Sequence, residues 1–418
     1  MKRLIRLLVV ILLSFCLIFG MTACKGLDDD GEQEQEIFKV GLICSGDEYD
    51  FYDYDFITAF RTVCQEKNVE FVVKTNVYQT GYSRSIAQNL INEGCDVIFA
   101  NSAGYEEFMW ELAGENPNVQ FCQVAGIKNF IYKHLSHSKR RNFHNAYISS
   151  YKTKYLAGYA AGLKLNSMKD KTVENEFLVG YVTPLATSEY ISSYTAWYLG
   201  LKASLDTNYT AKMQVYCTGD LFNEYAERTA VETLVENGVV LMGSETQSFV
   251  VSEFCNEAGI PHTGVNDEAI LDYPETFILA TKTDWSYYFD YVISKAQANL
   301  DFSGEWFGET GEGIYDGTSF ISLIGDCAET ETETKLAEVF EELKLEQRRV
   351  FDTSTFTVEG KKISNSLQKD LDADNDNDTS VVAQDFLTGI SYFNECYHRS
   401  FPYFDLEIDG IEIIRRVS

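Results

Sequence analysis

A strand–loop–helix cassette that occurs twice constrains this chain more than any other feature. The first copy opens with Val40-Gly41-Leu42-Ile43 and runs through Asn92-Glu93-Gly94-Cys95-Asp96-Val97-Ile98-Phe99 into the loop Ala100–Gly104. The second opens with Val179-Gly180-Tyr181-Val182 and runs through Glu236-Asn237-Gly238-Val239-Val240-Leu241-Met242 into Gly243–Gln247. Strands of about five apolar residues separated by helical stretches read as βαβ units, which require a parallel sheet covered on both faces. Two such halves predict two α/β lobes with a cleft between them, and 418 residues are enough for both.

In the first lobe the pattern predicts strands over 38–44, 70–74, 96–100 and 119–124, with helices over 56–67, 83–93 and 105–114. A crossing strand over 145–148 and a helix over 151–163 rich in Ala and Gly lead into the second lobe. That lobe repeats the alternation from Phe177 to Val265, and the stretch 276–281 reads as a strand returning the chain to the first lobe. The boundaries expected are therefore 38–145 plus about 278–325 for lobe I and 146–277 for lobe II. Residues 326–418 form a less regular C-terminal extension expected to pack on the lobes, with an acidic helix over 334–345 and a hairpin-like piece over 356–363.

The N-terminus reads as a targeting segment. Lys2, Arg3 and Arg6 precede an apolar run from Leu7 to Met21 that ends at Thr22-Ala23-Cys24, the layout of a secretory signal over 1–23. The run is short for a membrane-spanning helix, which needs about 18 apolar residues or more. Met21-Thr22-Ala23-Cys24 is similar to a bacterial lipobox, which makes Cys24 the candidate lipidation site. The acidic stretch 24–37 has the composition of a flexible tether. An exported, lipid-tethered protein is the expectation.

Charge and motifs exclude several functions. The net charge is −30, and losing Lys2, Arg3 and Arg6 with the signal makes it −33. Phosphate backbones need clustered Lys and Arg, so nucleic acid is not an expected partner. No nucleophile elbow, H-E-x-x-H, phosphate-binding P-loop or dinucleotide fingerprint is present. No cofactor and no catalytic residue are expected. The cysteines lack the close paired spacing of a zinc site, and His134 and His137 offer no third ligand. Asp374, Asp376, Asp378 and Asp385 fall at positions 1, 3, 5 and 12 of a calcium-loop spacing. Thr379 replaces the required Gly, and position 12 lacks Glu, so a solvated acidic loop is the preferred reading.

Ligands of open α/β sheets settle at the carboxyl ends of the strands. After the first strand comes Ser45–Phe56, dense in carboxylates and rings, with Asp50, Phe51 and Tyr52 at its centre. After the third come Asn101, Ser102 and Tyr105. The second lobe offers Thr183–Glu189, Ser244–Gln247 with Glu245, and Asn266 with Asp267. Trp285 follows the returning strand. Rings stack on flat ligands, and carboxylates accept bonds from N–H and hydroxyl groups, so the set suits a small polyhydroxylated or nitrogenous molecule.

These residues, with the Y-L-A-G-x-x-A-G run Tyr155–Gly162 and the Thr283-Asp284-Trp285-Ser286-Tyr287-Tyr288 segment, resemble the basic-membrane-protein family. That family comprises ABC-transporter substrate-binding lipoproteins and includes the purine nucleoside receptor. The resemblance covers about 38–323. It implies a two-lobed, periplasmic-binding-protein-like (type I) fold that closes on a nucleoside or related solute, with permease and ATPase subunits as partners at the cell membrane. It also implies Phe51 or Tyr52 as the stacking ring, Asn266 and Asp267 near a ribose-like group, and Trp285 beside them. Lys152-Thr153-Lys154 stands where the family commonly has an acid, and Phe51-Tyr52 replaces its Phe-Asn pair. A sensor receptor for a signalling partner is the alternative, and an enzyme acting on a nucleoside or sugar a more remote one.

Overall fold

The computed structural model describes residues 38–132, 140–308 and 313–417. Five parallel strands build the first sheet: Lys39–Ile43 (β1), Glu70–Lys74 (β2), Val97–Ala100 (β3), Gln120–Val124 (β4) and Phe143–Ala146 (β5). Their spatial order is β5-β4-β3-β1-β2, completed beside β5 by a two-residue piece, Glu305–Trp306, from much later in the chain. β1, β3 and β4 are nearly fully buried, as strands covered on both faces must be. The helices of this lobe are Phe51–Glu66 (α1), Gly81–Asn92 (α2), Glu106–Glu115 (α3) and the short Lys128–Tyr132 (α4).

α1 starts five residues before its expected position at Phe56. The cause is Asp50, whose extended backbone and carboxylate cap the helix by accepting from the amides of Tyr52 and Asp53. Phe51 and Tyr52 therefore sit on a rigid first turn rather than in a loop.

After β5 the chain crosses to the second lobe and forms Tyr151–Asn166 (α5). The strands Glu176–Thr183 (β6), Thr210–Cys217 (β7), Met242–Ser244 (β8), His262–Gly264 (β9) and Phe277–Thr283 (β10) follow. Between them lie Ser188–Ser204 (α6), Glu224–Glu236 (α7), Val250–Ala258 (α8) and Ala269–Asp272 (α9). α5 and α6 touch through their backbones. A Cβ on Gly158 would lie 1.8 Å from the Trp197 carbonyl oxygen, and one on Gly200 would lie 2.0 Å from that of Tyr155. The Y-L-A-G run is thus a packing device that lets two buried helices close up.

The expected return to the first lobe at residue 278 does not occur there. β10 remains in the second sheet, parallel to β9, because the apolar run Phe277-Ile278-Leu279-Ala280 is buried between two neighbouring strands. The crossing follows Thr283, and Ser286–Gln297 (α10) then packs on α1 in the core of the first lobe. Glu305–Trp306 (β11) closes that sheet, and a third crossing brings Ser319–Ile324 (β12) back, antiparallel to β10.

The C-terminal residues belong structurally to the second lobe. Thr332–Lys344 (α11) covers α5, and two short antiparallel pairs follow. These are Gln368–Lys369 (β13) with Thr379–Ser380 (β14), and Val382–Gln384 (β15) with Ser391–Phe393 (β16). The expected hairpin over 356–363 is reduced to a single Val358–Lys361 bridge. Ile411–Arg415 (β17) pairs parallel with β7, giving the second sheet the order β12-β10-β9-β8-β6-β7-β17. Phe351, Phe356, Phe393 and Phe404 join the same core as α5, α6 and β6.

Candidate functional site

α1, which follows β1, supplies the first wall and faces the segments after β7 and β8 and the end of β10 across the gap between lobes. The half-buried Phe51 ring, at the start of α1, meets Phe249 of the second lobe edge-on, with centroids 5.2 Å apart at 75°. Asp50 beside it lies in the field of Asp220 from the second lobe, and burial pushes its carboxyl above the usual range. One turn further, Asp55 feels the charges of Lys282 and Asp267.

Behind this wall is a brace. Tyr52 Oη donates to the Asn101 carbonyl at 2.8 Å, and Asn101 Nδ2 donates to Asp53 Oδ1 at 2.7 Å. The Ser45 amide donates to Asn101 Oδ1 at 3.2 Å, so Asn101 ties the β1 and β3 loops together. Burial raises the Asp53 carboxyl, and the Asn101 amide partly offsets this. Ser102 accepts from Gln79 Nε2 at 2.6 Å. Tyr105 does not reach the site. It is fully buried in the first-lobe core, where its hydroxyl donates to the Val77 carbonyl.

The second wall centres on Glu245. Its carboxylate lies 3.2 Å from Lys154 Nζ and also accepts from the Ser193 hydroxyl, while Lys154 donates to Thr281 Oγ1 at 3.2 Å. Nearby, Tyr147 Oη on the first crossing donates to Glu189 Oε1 at 2.7 Å. Burial pushes the Glu189 carboxyl up to about 7 against the lowering effect of that hydrogen bond. Asn266 Oδ1 accepts from the Glu268 amide at 3.2 Å, whereas its buried Nδ2 finds no acceptor among the described residues. Asp267 pairs with Lys282 at 2.9 Å.

Trp285 packs beneath the wall rather than on it. It is 6% exposed, 4.8 Å from the Phe56 ring, and part of the first-lobe core. The calcium-loop spacing is not realised either. Asp385 engages Arg349 at 2.9 Å and caps the amides of Leu387 and Thr388, so it is turned away from the other three. The carboxylates that do converge are those of Asp370, Asp372 and Asp374, and Asp374 is held by the Asp376 amide. Cys24, His134, His137 and residues 309–312 of the Gly-rich piece lie outside the described residues.

The structure thus brings Asp50, Phe51, Glu245, Asn266 and Asp267 to the facing strand ends, with Tyr52, Asn101 and Ser102 as support. It adds Tyr147, Lys154, Glu189 and Phe249, which were not singled out as site residues. Glu189 closes the strand-end stretch Thr183–Glu189 that the topology rule already selects, and lies in the first turn of α6. Phe249 lies just past such a loop and has no local signature.

A family model described as ABC transporter substrate-binding protein, PnrA-like, matches residues 38–309. A purine-binding protein of Brucella abortus (strain 2308) is 23% identical over 309 residues, 72% of this chain and 81% of that protein. A putative ABC transporter glucose-binding protein of Haloferax volcanii is 22% identical over 264 residues, 63% of this chain and 61% of that one. Among solved structures, an ABC transporter system solute-binding protein from Conexibacter woesei aligns with a TM-score of 0.56 at 16% identity, over 75% of this chain and 98% of its own. A transcriptional activator of the comK gene from Bacillus halodurans aligns equally well, at 15% identity over 74% and 99%. Such distant structural matches establish the two-lobed fold and nothing finer. The match over 38–309 spans both sheets and both walls of the gap, and with it the chain belongs to the PnrA-like ABC transporter substrate-binding proteins.

Proposed function

We propose that this protein captures a nucleoside or nucleoside-like solute between its lobes and delivers it to the permease and ATPase of an ABC importer, held at the membrane by a lipid on Cys24. Family membership supplies the coarser part: an extracytoplasmic binding protein for a small molecule, working with transporter subunits. Among the described residues no helix is long and apolar enough to cross a membrane.

The observation that carries the nucleoside reading is the pair Phe51 and Phe249, one ring from each lobe, 5.2 Å apart. A flat ring stacked on one of them at about 3.5 Å and meeting the other edge-on at about 5 Å needs about 8.5 Å in all, so opening by about 3 Å at this point admits it. Asp50 and Asp267 then accept bonds from ring N–H or sugar hydroxyl groups, and the free Asn266 amide donates one. The local excess of carboxylates opposes a phosphorylated ligand. The Brucella relative's name agrees with a purine, while the Haloferax relative's name makes a sugar the competing class.

Capture needs no covalent step, only a closed state that binds the solute better than the open one, with motion at the three crossings. A thermal-shift screen of residues 25–418 against nucleosides, bases and sugars tests the reading, since a ligand of the native state raises Tm. Absence of a shift with every purine and pyrimidine nucleoside refutes the ligand class and leaves the fold standing. Ligand affinity unchanged in Phe51→Ala combined with Asp267→Ala refutes the site.

A further inference from the structure

A cavity of about 620 Å³ lies away from the facing strand ends, between the α5–α6 helix pair and the C-terminal extension. Its volume is within the range of small-molecule sites. Two thirds of its wall comes from residues beyond 309, where the family match ends. Nothing in the importer role calls for it.

The chemistry of the lining is the reverse of the chain's own. In a protein of net charge −30, three cations (Lys202, Arg348 and Arg349) face two acids, Glu342 and Asp352. Both guanidinium groups are delivered by the turn after α11, where Glu346 adopts φ 59°, and both are clamped. Arg348 is held by Glu342 at 2.6 Å and by the Tyr155 hydroxyl at 3.0 Å. Arg349 is held by Glu346 at 2.7 Å and Asp385 at 2.9 Å and stacks on Tyr392, yet its buried Nε has no acceptor among the described residues. Asp352 is occupied in capping the Ser354 amide at 2.8 Å.

Lys202 is different. Its ammonium makes a long contact, 3.4 Å to the Thr355 carbonyl, lies 5.4 Å from the centre of the Tyr198 ring, and has no ion pair among the described residues. Leu199, Val350 and Ile390 supply an apolar surface beside these charges. Rigid guanidinium groups, an ammonium with no carboxylate partner among the described residues and an apolar wall match a small organic anion with its charged end at Lys202 and its carbon body inward. We infer that this cavity is a second ligand site, for a small carboxylate or phosphate-bearing anion, independent of the solute captured between the lobes.

The test uses residues 25–418 with inorganic phosphate, succinate and benzoate as probes, at constant ionic strength with chloride as the control. Binding is read by calorimetry and by Tm. At least one probe is expected to bind saturably with Kd below about 1 mM. Lys202→Glu at the exposed mouth, or Ala203→Trp to fill it, weakens that binding by about tenfold or more. Phe51→Ala leaves it unchanged, which separates this site from the proposed solute site. The inference is overturned if no probe binds saturably at about 10 mM, on the scale of the weakest specific sites. It is equally overturned if both cavity variants bind as the parent does, or if Phe51→Ala abolishes binding.

Discussion

Removing the Lys154 ammonium should damage the second lobe far more than a surface charge change. Lys154 and Glu245 are 9% and 7% exposed in their side chains, with Nζ and Oε1 3.2 Å apart. Lys154→Met keeps the stem and deletes the charge, leaving Glu245 buried with hydroxyl donors, those of Ser193 and Tyr181, and no cation in contact. Breaking one side of such a pair costs about 3–5 kcal/mol, whereas replacing both sides by apolar groups is often neutral. Glu245→Leu added to Lys154→Met should therefore restore part of the loss, less about 1 kcal/mol for each orphaned hydroxyl, those of Ser193 and Tyr181. A unit of 150–250 residues shifts by about 2–4 °C per kcal/mol, so the single variant should lose about 6–20 °C in Tm. Urea unfolding followed by tryptophan fluorescence suits the measurement, because Trp197 is buried in the core of this lobe. The double-mutant cycle gives the coupling directly. A single variant within about 1 kcal/mol of the parent refutes the reasoning. So does a double variant that costs the sum of the two singles.

Two other outcomes follow from the same physics. Burial pushes the Glu395 carboxyl from its ordinary 4.5 up to about 7, so the folded state holds a proton that the unfolded state has lost. Its stabilising effect is complete below about pH 4.5 and disappears as pH rises to about 7, so Glu395→Gln should gain on the parent over that window by up to about 3 kcal/mol. Measuring the difference between the two proteins cancels the opposite trend from buried His144 and His262, whose lowered pKa values add stability as pH rises toward 6.5. A difference that does not vary with pH contradicts the assignment. Gly158→Ala should cost about 3 kcal/mol or more, since its Cβ would lie 1.8 Å from a backbone oxygen of α6 that cannot swing aside. Urea midpoints unchanged by this substitution would show that the helices do not pack as described.

The alternation of strands and helices is readable locally because each strand is a short apolar run and each helix has its own period. Sheet membership is not readable in that way. β10 carries the same run of buried residues whichever sheet it joins, and only its pairing with β9 and β12 decides the matter. β17 offers Ile-Glu-Ile-Ile-Arg, a plausible strand, but its partner β7 lies about two hundred positions away. The site was legible as a set of strand ends and less so residue by residue. Tyr105 and Trp285 carry rings at strand ends just as Phe51 does, and their burial depends on helices packed over them. Conversely, Lys154 reads from sequence as a departure from the family pattern. The structure shows its partner to be Glu245, a carboxylate that lies 91 positions later.

The C-terminal extension bears on the lobe closure proposed above. Its core is continuous with the second lobe, yet the segment around residue 400 reaches the first. The Ser400 amide and hydroxyl donate to Glu305 at 2.9 and 2.7 Å, and Glu305 lies on β11 of the first sheet. The Phe401 ring stands edge-on to Tyr147 at 5.3 Å, and the Pro402 carbonyl accepts from Ser188 of α6 at 2.9 Å. Tyr147 is itself the residue whose hydroxyl bonds Glu189. The strap therefore lies directly behind one wall of the proposed site and spans the first and third crossings. Rotation of the lobes must either pivot about the Ser400–Glu305 contact or break it. A pivot keeps Glu305 satisfied, whereas breakage leaves a carboxyl, already raised to about 7 by burial, without two of its donors. Because an unsatisfied buried carboxyl costs several times a net hydrogen bond, the pivot is the lower-energy path. On the proposed closure, the Ser400 contact, which lies beyond the family match, constrains lobe rotation in addition to the three covalent crossings.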